Sequence, residues 1–176
     1  MKRKSLILEG AFDVELMKRI LPANILSEID IYNGGGSTSA ISKARTLLAF
    51  FDKDIVILLD TDTTNGQKIQ EQKGEIEFLL KDAAKSNKAW HLILAEPEIE
   101  VILFQNKELA KSIFHQDFTD SDLEFARVAP RKAIEKKLAK PFNEARQLLL
   151  SGITESVARE LRKTDLIQEI EHELSA

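Results

Sequence analysis

Residues 55–59 read Ile-Val-Ile-Leu-Leu and are followed at once by Asp60-Thr61-Asp62. A short aliphatic run rich in β-branched side chains, with no polar position, suits a strand covered on both faces, and such strands belong to parallel sheets. The run is therefore expected at the centre of a sheet. Its neighbours agree. Residues 5–10 (SLILEG) read as a short buried strand stopped by a glycine, and 13–21 then show helical spacing before Pro22. A weaker strand at 29–32 runs into Asn33-Gly34-Gly35-Gly36, and an apolar-periodic helix with Ser or Thr available as its cap covers 37–51. A long helix over 67–86 and a fourth strand over 90–95 complete the alternation. β-α alternation of this kind implies an α/β fold: a mainly parallel, four-stranded, Rossmann-like sheet flanked by helices.

Beyond residue 99 the pattern turns helical. Segments 99–104, 107–114, 122–127, 130–139, 143–150, 154–162 and 166–174 are expected as helices, with Gly152 and Thr154 forming a stop and a fresh cap. The division is a sheet domain over 1–104 and a helical extension over 105–176 packed on the same domain. With 176 residues, 43% of them hydrophobic, one compact core is affordable in length. There is no cysteine, which excludes disulfides, thiolate metal sites and a cysteine nucleophile. The basic start Met1-Lys2-Arg3-Lys4 precedes too short an apolar stretch for a signal core or a membrane span, so a cytoplasmic protein with no membrane partner is expected.

In an open parallel sheet, functional groups gather beyond the carboxyl ends of the strands. Glu9 ends the first strand, Asp60 and Asp62 the third, and Glu96, Glu98 and Glu100 follow the fourth, with Asp13 one turn into the first helix. Carboxylates that converge repel one another unless a cation neutralises them, and hard oxygen ligands suit Mg²⁺ or Mn²⁺. Taken singly, each acid has a plainer reading; Asp13 alone is a helix cap. The net charge of −4 leaves room for a local basic surface, and 127–140 carries six basic residues against the one acid Glu135.

Together LILEG at 6–10, VILLDTD at 56–62 and AEPEIE at 95–100 resemble the Toprim fold, over roughly residues 5–104, with the later acids closest to the OLD-type (overcoming lysogenization defect) nucleases. The resemblance implies that Glu9 is an acid-base or metal-ligating group, that Asp60 and Asp62 hold the metal, and that Asp13, Glu98 and Glu100 support a second ion. Two metals about 4 Å apart would then clamp a scissile phosphate. Gly35 and Gly36, at a helix start, together with Arg131, Lys132 and Lys136, are the expected nucleic-acid contacts, with Lys132 also a catalytic candidate. A solvated helix face and a bare turn are the plainer readings of those residues.

The resulting expectation is a metal-dependent nuclease acting on DNA or RNA. An ATPase partner in a defence system fits the resembled families, and a homodimer is compatible. No Walker loop is present, and the only tyrosine, Tyr32, lies inside the Toprim-like region, which argues against a built-in ATPase and a topoisomerase. Two alternatives stay open: a non-catalytic Toprim-like module that binds nucleic acid or an ATPase, and a haloacid-dehalogenase-like phosphatase with Asp60 as nucleophile and Asp62 as acid-base. A calcium loop and a receiver-like phosphoacceptor fit less well, because Gly66 falls one place late for the first, and the second lacks an acidic pair on the first strand and a clear Lys-ending fifth strand. The histidines share no ligand spacing. Trp90 and the nine phenylalanines are expected in the core, since they do not interleave with basic residues.

Overall fold

The computed structural model describes residues 4–51, 53–84 and 89–175; Met1 to Arg3 and Ser86, which figured in the sequence expectations, lie outside them. The chain is an α/β protein with one four-stranded, all-parallel sheet in the order β2-β1-β3-β4. Strand β1 (Lys4–Leu8) is followed by α1 (Ala11–Ile20) and a short α2 (Ala23–Glu28), then β2 (Ile29–Asn33) and α3 (Ser37–Phe50). Next come β3 (Ile55–Asp60), α4 (Gly66–Ala83), β4 (Trp90–Ala95) and a 3-10 helix (Ile99–Phe104). Six more helices follow: α5 (Lys107–Phe114), α6 (Asp120–Val128), α7 (Pro130–Leu138), α8 (Phe142–Gly152), α9 (Glu155–Leu161) and α10 (Asp165–Ser175).

Every residue of β3 is buried, as its aliphatic run requires. Side chains alternate across the sheet. Leu6, Leu8, Val56, Leu58 and Ile93 enter one hydrophobic cluster with α1 and the C-terminal helices, through Leu16, Ile113, Ile134, Leu149 and Ile167 among others. Ile7, Ile55, Ile57, Leu59 and Leu92 enter the other, under Leu48 of α3 and Leu80 of α4. Residues 105–175 thus cover one face of the sheet and share its core.

Several expectations shift. The segment between Pro22 and Ile29 is helical, and residues 99–104 form a 3-10 helix. The cap of α3 is Gly36, with no side-chain hydrogen bond, in place of the expected Ser or Thr. Trp90 is only partly buried, and four phenylalanines expected inside are exposed: Phe50 (78%), Phe51 (52%), Phe78 (72%) and Phe125 (38%). Phe125 and the buried Phe118 also lie under Lys136 and Lys137 (ring centroids at 5.6 and 4.3 Å), so aromatic and basic side chains do interleave here. Among the described residues no helix is long and apolar enough to cross a membrane.

Candidate active site

The strand order places β2 on one side of β1 and β3 on the other. The chain therefore reverses its direction of progression between β1 and β3, and that point opens a crevice at the strand ends. Glu9 and Asp60 flank it. Leu8 pairs with Leu58, and the Asp60 backbone N–H lies 3.4 Å from Glu9 Oε2. Asp60 follows Val56 and Leu58 at the period of two, which turns it toward the layer of C-terminal helices.

There it meets Arg131, in the first turn of α7. The guanidinium reaches Asp60 Oδ2 (2.6 Å) and Glu100 Oε1 (2.8 Å), with Glu98 Oε1 at 3.7 Å. The backbone N–H of Arg131 donates to Glu98 Oε2 at 3.0 Å, so the start of the helix is seated on the same cluster. Asp60 Oδ1 accepts from the Ile99 N–H at 2.9 Å. Both Asp60 oxygens are thus occupied, and a nucleophilic role would require it to leave these partners. Arg131, rather than its neighbour Lys132, stands among the carboxylates; Lys132 is exposed.

The loops after β3 and β4 are tied through their backbones. Thr61 N–H donates to Ala95 O and Pro97 O, and Asp62 N–H to Pro97 O at 2.9 Å. Asp62 is exposed and takes φ +53°, a left-handed conformation that aspartate tolerates better than most residues. Asp13 is buried and accepts from the Gly10 N–H at 2.7 Å, closing the start of α1. It is a first-turn residue that bonds back to the Gly10 cap, one of its plainer readings, and lies near enough to raise the pKa of Glu9.

Gly35 and Gly36 have positive φ, but their amide groups donate inward to the Glu9 carbonyl (3.0 and 2.9 Å). The glycine turn thus anchors Glu9, and its N–H groups are not aimed at an external phosphate. Gly34 donates to Leu8 O at 2.7 Å, and the turn packs so closely that a Cβ there would lie 2.5 Å from Ala40 Cβ.

Burial dominates the electrostatics. It pushes the Asp60 carboxyl up to about 8, with repulsion from Glu100 adding and Arg131 opposing. Burial likewise lifts Glu100 to about 7 against the pull of Arg131. Glu9 and Asp13 rise above their ordinary values for the same reason. Glu100 is fully buried and its Oε2 has no hydrogen-bond partner. One guanidinium cannot neutralise Glu9, Asp13, Asp60, Asp62, Glu98 and Glu100, and a buried carboxylate oxygen without a partner is costly.

The expected metal ligands are thus brought to one end of the sheet, but among the described residues no three His, Cys, Asp or Glu side chains already form a metal-holding group. Arg131 occupies the space where Asp60, Glu98 and Glu100 face one another. The donor chemistry fits a hard divalent cation: all ligands are oxygen, negative charge is in excess, and Glu100 Oε2 lacks a partner. Of the nucleic-acid contacts expected from sequence, Arg131 is at the cluster, while Lys132 and Lys136 are exposed farther along α7. Sequence reasoning placed Phe125 in the core, since its neighbours Leu123 and Ala126 are buried, yet its ring is 38% exposed. No protein-family model, curated protein or solved structure matches this chain.

Proposed function

We propose that the protein is a Toprim-like, metal-dependent nuclease that hydrolyses phosphodiester bonds in DNA or RNA, as its resemblance to the OLD-type enzymes implies. The observation that carries this reading is the convergence of Glu9, Asp60, Asp62, Glu98 and Glu100 from three strand ends at the reversal point of the sheet, with Glu100 Oε2 unpartnered. Asp60, Asp62, Glu98 and Glu100 are the residues that would hold Mg²⁺ or Mn²⁺, with Glu9 beside them. When bound, the cation supplies charge neutralisation at a phosphoryl oxygen and a more acidic water. Glu9, its backbone held by the glycine turn and its side chain partly exposed, accepts the proton of the attacking water. Arg131, charged at any relevant pH, pairs with a non-bridging phosphate oxygen once a cation takes over its carboxylates.

The test is cleavage of labelled single- and double-stranded DNA and RNA with Mg²⁺ or Mn²⁺. Nicks that need the metal and fall about 10²–10⁴-fold in Glu9→Gln, and also in Asp60→Asn, are the expected result. A wild type that cuts nothing with either metal sinks the nuclease reading.

One observation favours a second reading, a binding module without catalysis: Arg131 already bridges Asp60 and Glu100 and so satisfies part of the charge that a metal would. In that case Mn²⁺ leaves the melting temperature unchanged while oligonucleotide affinity persists.

A further inference from the structure

Helix α7 begins at the carboxylates and leads away from them with its cations outward. Lys132 and Lys136 are exposed one turn apart on one face. Opposite Lys136, α6 presents Phe125 and Val128, 38% and 58% exposed. Between the helices lies a crevice of about 150 Å³ lined by Phe118, Phe125, Ala133, Lys136 and Lys137, with Asp122 at its edge. Asp122 is bonded to Thr119 and lies 3.4 Å from Lys137, so Lys137 is committed, whereas among the described residues no carboxylate pairs with Lys136. Lys136 instead lies over the Phe125 ring at 5.6 Å.

From these contacts we infer that the α6–α7 crevice is a subsite for an unpaired base of single-stranded nucleic acid, with Phe125 as its stacking surface and Lys132 and Lys136 as partners for the adjoining phosphates. The inference rests on the nuclease reading and names the strandedness of its substrate. Three features carry it. An aromatic ring with one face under a mobile cation is a surface on which any base can stack. The ammonium that covers the ring sits on a flexible stem and can move to a neighbouring phosphate. The two groups also share one helix: Arg131 and Lys136 are five residues apart, about 7.5 Å along the axis and about 140° apart around it, so a strand that meets Arg131 reaches the crevice across the exposed face that carries Lys132. A base held in a duplex is stacked on both faces and paired along one edge, and must be unstacked and unpaired before it can enter.

The experiment measures binding of short labelled oligonucleotides to the full chain in EDTA, where nothing is cut. Single-stranded DNA, single-stranded RNA, a duplex and a strand without bases are compared on wild type, Phe125→Ala and Phe125→Trp. Tighter binding of a single strand than of the duplex is expected. Phe125→Ala weakens binding of the intact strand by roughly 5- to 150-fold and leaves the base-free strand unaffected, whereas Phe125→Trp retains affinity. The DNA and RNA arms show which sugar is preferred. Phe125→Trp also guards against misreading a fold defect. Equal losses on intact and base-free strands, no loss on either, a duplex bound as tightly as a single strand, or no binding at all overturns the inference. Manganese-dependent hydrolysis of bis(p-nitrophenyl) phosphate by wild type is scored separately, because it needs no base. Its absence counts against the nuclease reading, and its presence with a failed binding result counts against the crevice alone.

Discussion

Arg131 faces Asp60, Glu98 and Glu100 with a single positive charge, and Asp60 and Glu100 are buried. Replacing it by methionine leaves those carboxylates without a counter-charge. Loss of one partner from a buried pair costs ~3–5 kcal/mol, and the lower end is expected because the guanidinium is 36% exposed. Urea denaturation of Arg131→Met at pH 8 should show this loss. At pH 5, where Asp60 and Glu100 hold their protons with or without the arginine, the loss should shrink; a pH-independent loss would mean that packing, and not charge, is what the arginine supplies. At this scale Glu9, Asp60 and Glu98 were legible because a polar residue directly after an apolar strand has one destination, the strand end. The choice between Arg131 and Lys132 was not legible. Adjacent residues on a helix differ by about 100° in direction, and only the seating of α7 on Glu98 fixes which one turns inward.

The turn between β2 and α3 decides where Glu9 sits. A methyl group at Gly34 would meet Ala40 Cβ at 2.5 Å and Leu8 O at 2.9 Å, both in rigid surroundings. Gly34→Ala is therefore expected to cost about 1–3 kcal/mol, as overpacking does, and to lower the proposed nuclease activity as the turn whose Gly35 and Gly36 hold the Glu9 carbonyl shifts. Gly66→Ala is the contrast: nothing lies within 4 Å of a Cβ there, and a stability gain of about 0.4–1 kcal/mol follows from a less flexible unfolded chain. The midpoints of urea denaturation for the two variants should move in opposite directions. All four strands and the alternation with helices could be read from sequence: β1, β3 and β4 carry aliphatic runs, most completely in β3, whereas the edge strand β2 (Ile-Asp-Ile-Tyr-Asn) showed only through its alternation and the glycine turn after it. Helix α2 could not, since its six residues bury only Ile25 and lack apolar periodicity. Phe125 escaped notice for a similar reason: an exposed ring beside two buried neighbours differs from core only through the tertiary position of Lys136.

For the molecule as a whole, the buried acids link stability to pH. The folded chain holds the proton of Asp60 up to about 8 and that of Glu100 up to about 7, whereas the ordinary values are 3.8 and 4.5. Between these limits the folded state binds more protons than the unfolded state, so stability falls as pH rises. In EDTA the melting temperature is expected to decline from about pH 4.5 to pH 8, and Mn²⁺ should restore it most at the alkaline end. A melting temperature that rises over that window in EDTA would contradict the burial of these acids.

The tie from Thr61 and Asp62 to Pro97 joins two loops, whereas the arginine arrives on a helix from the opposite layer. Four of the acids therefore ride on the sheet as one body, and the charge that balances them belongs to another. The seam between the layers runs through the ion pairs themselves. Whatever competes with Arg131 for Asp60 and Glu100 acts as a wedge there, and the occupancy of a single cluster becomes a gauge of how firmly the helical layer is seated on the sheet.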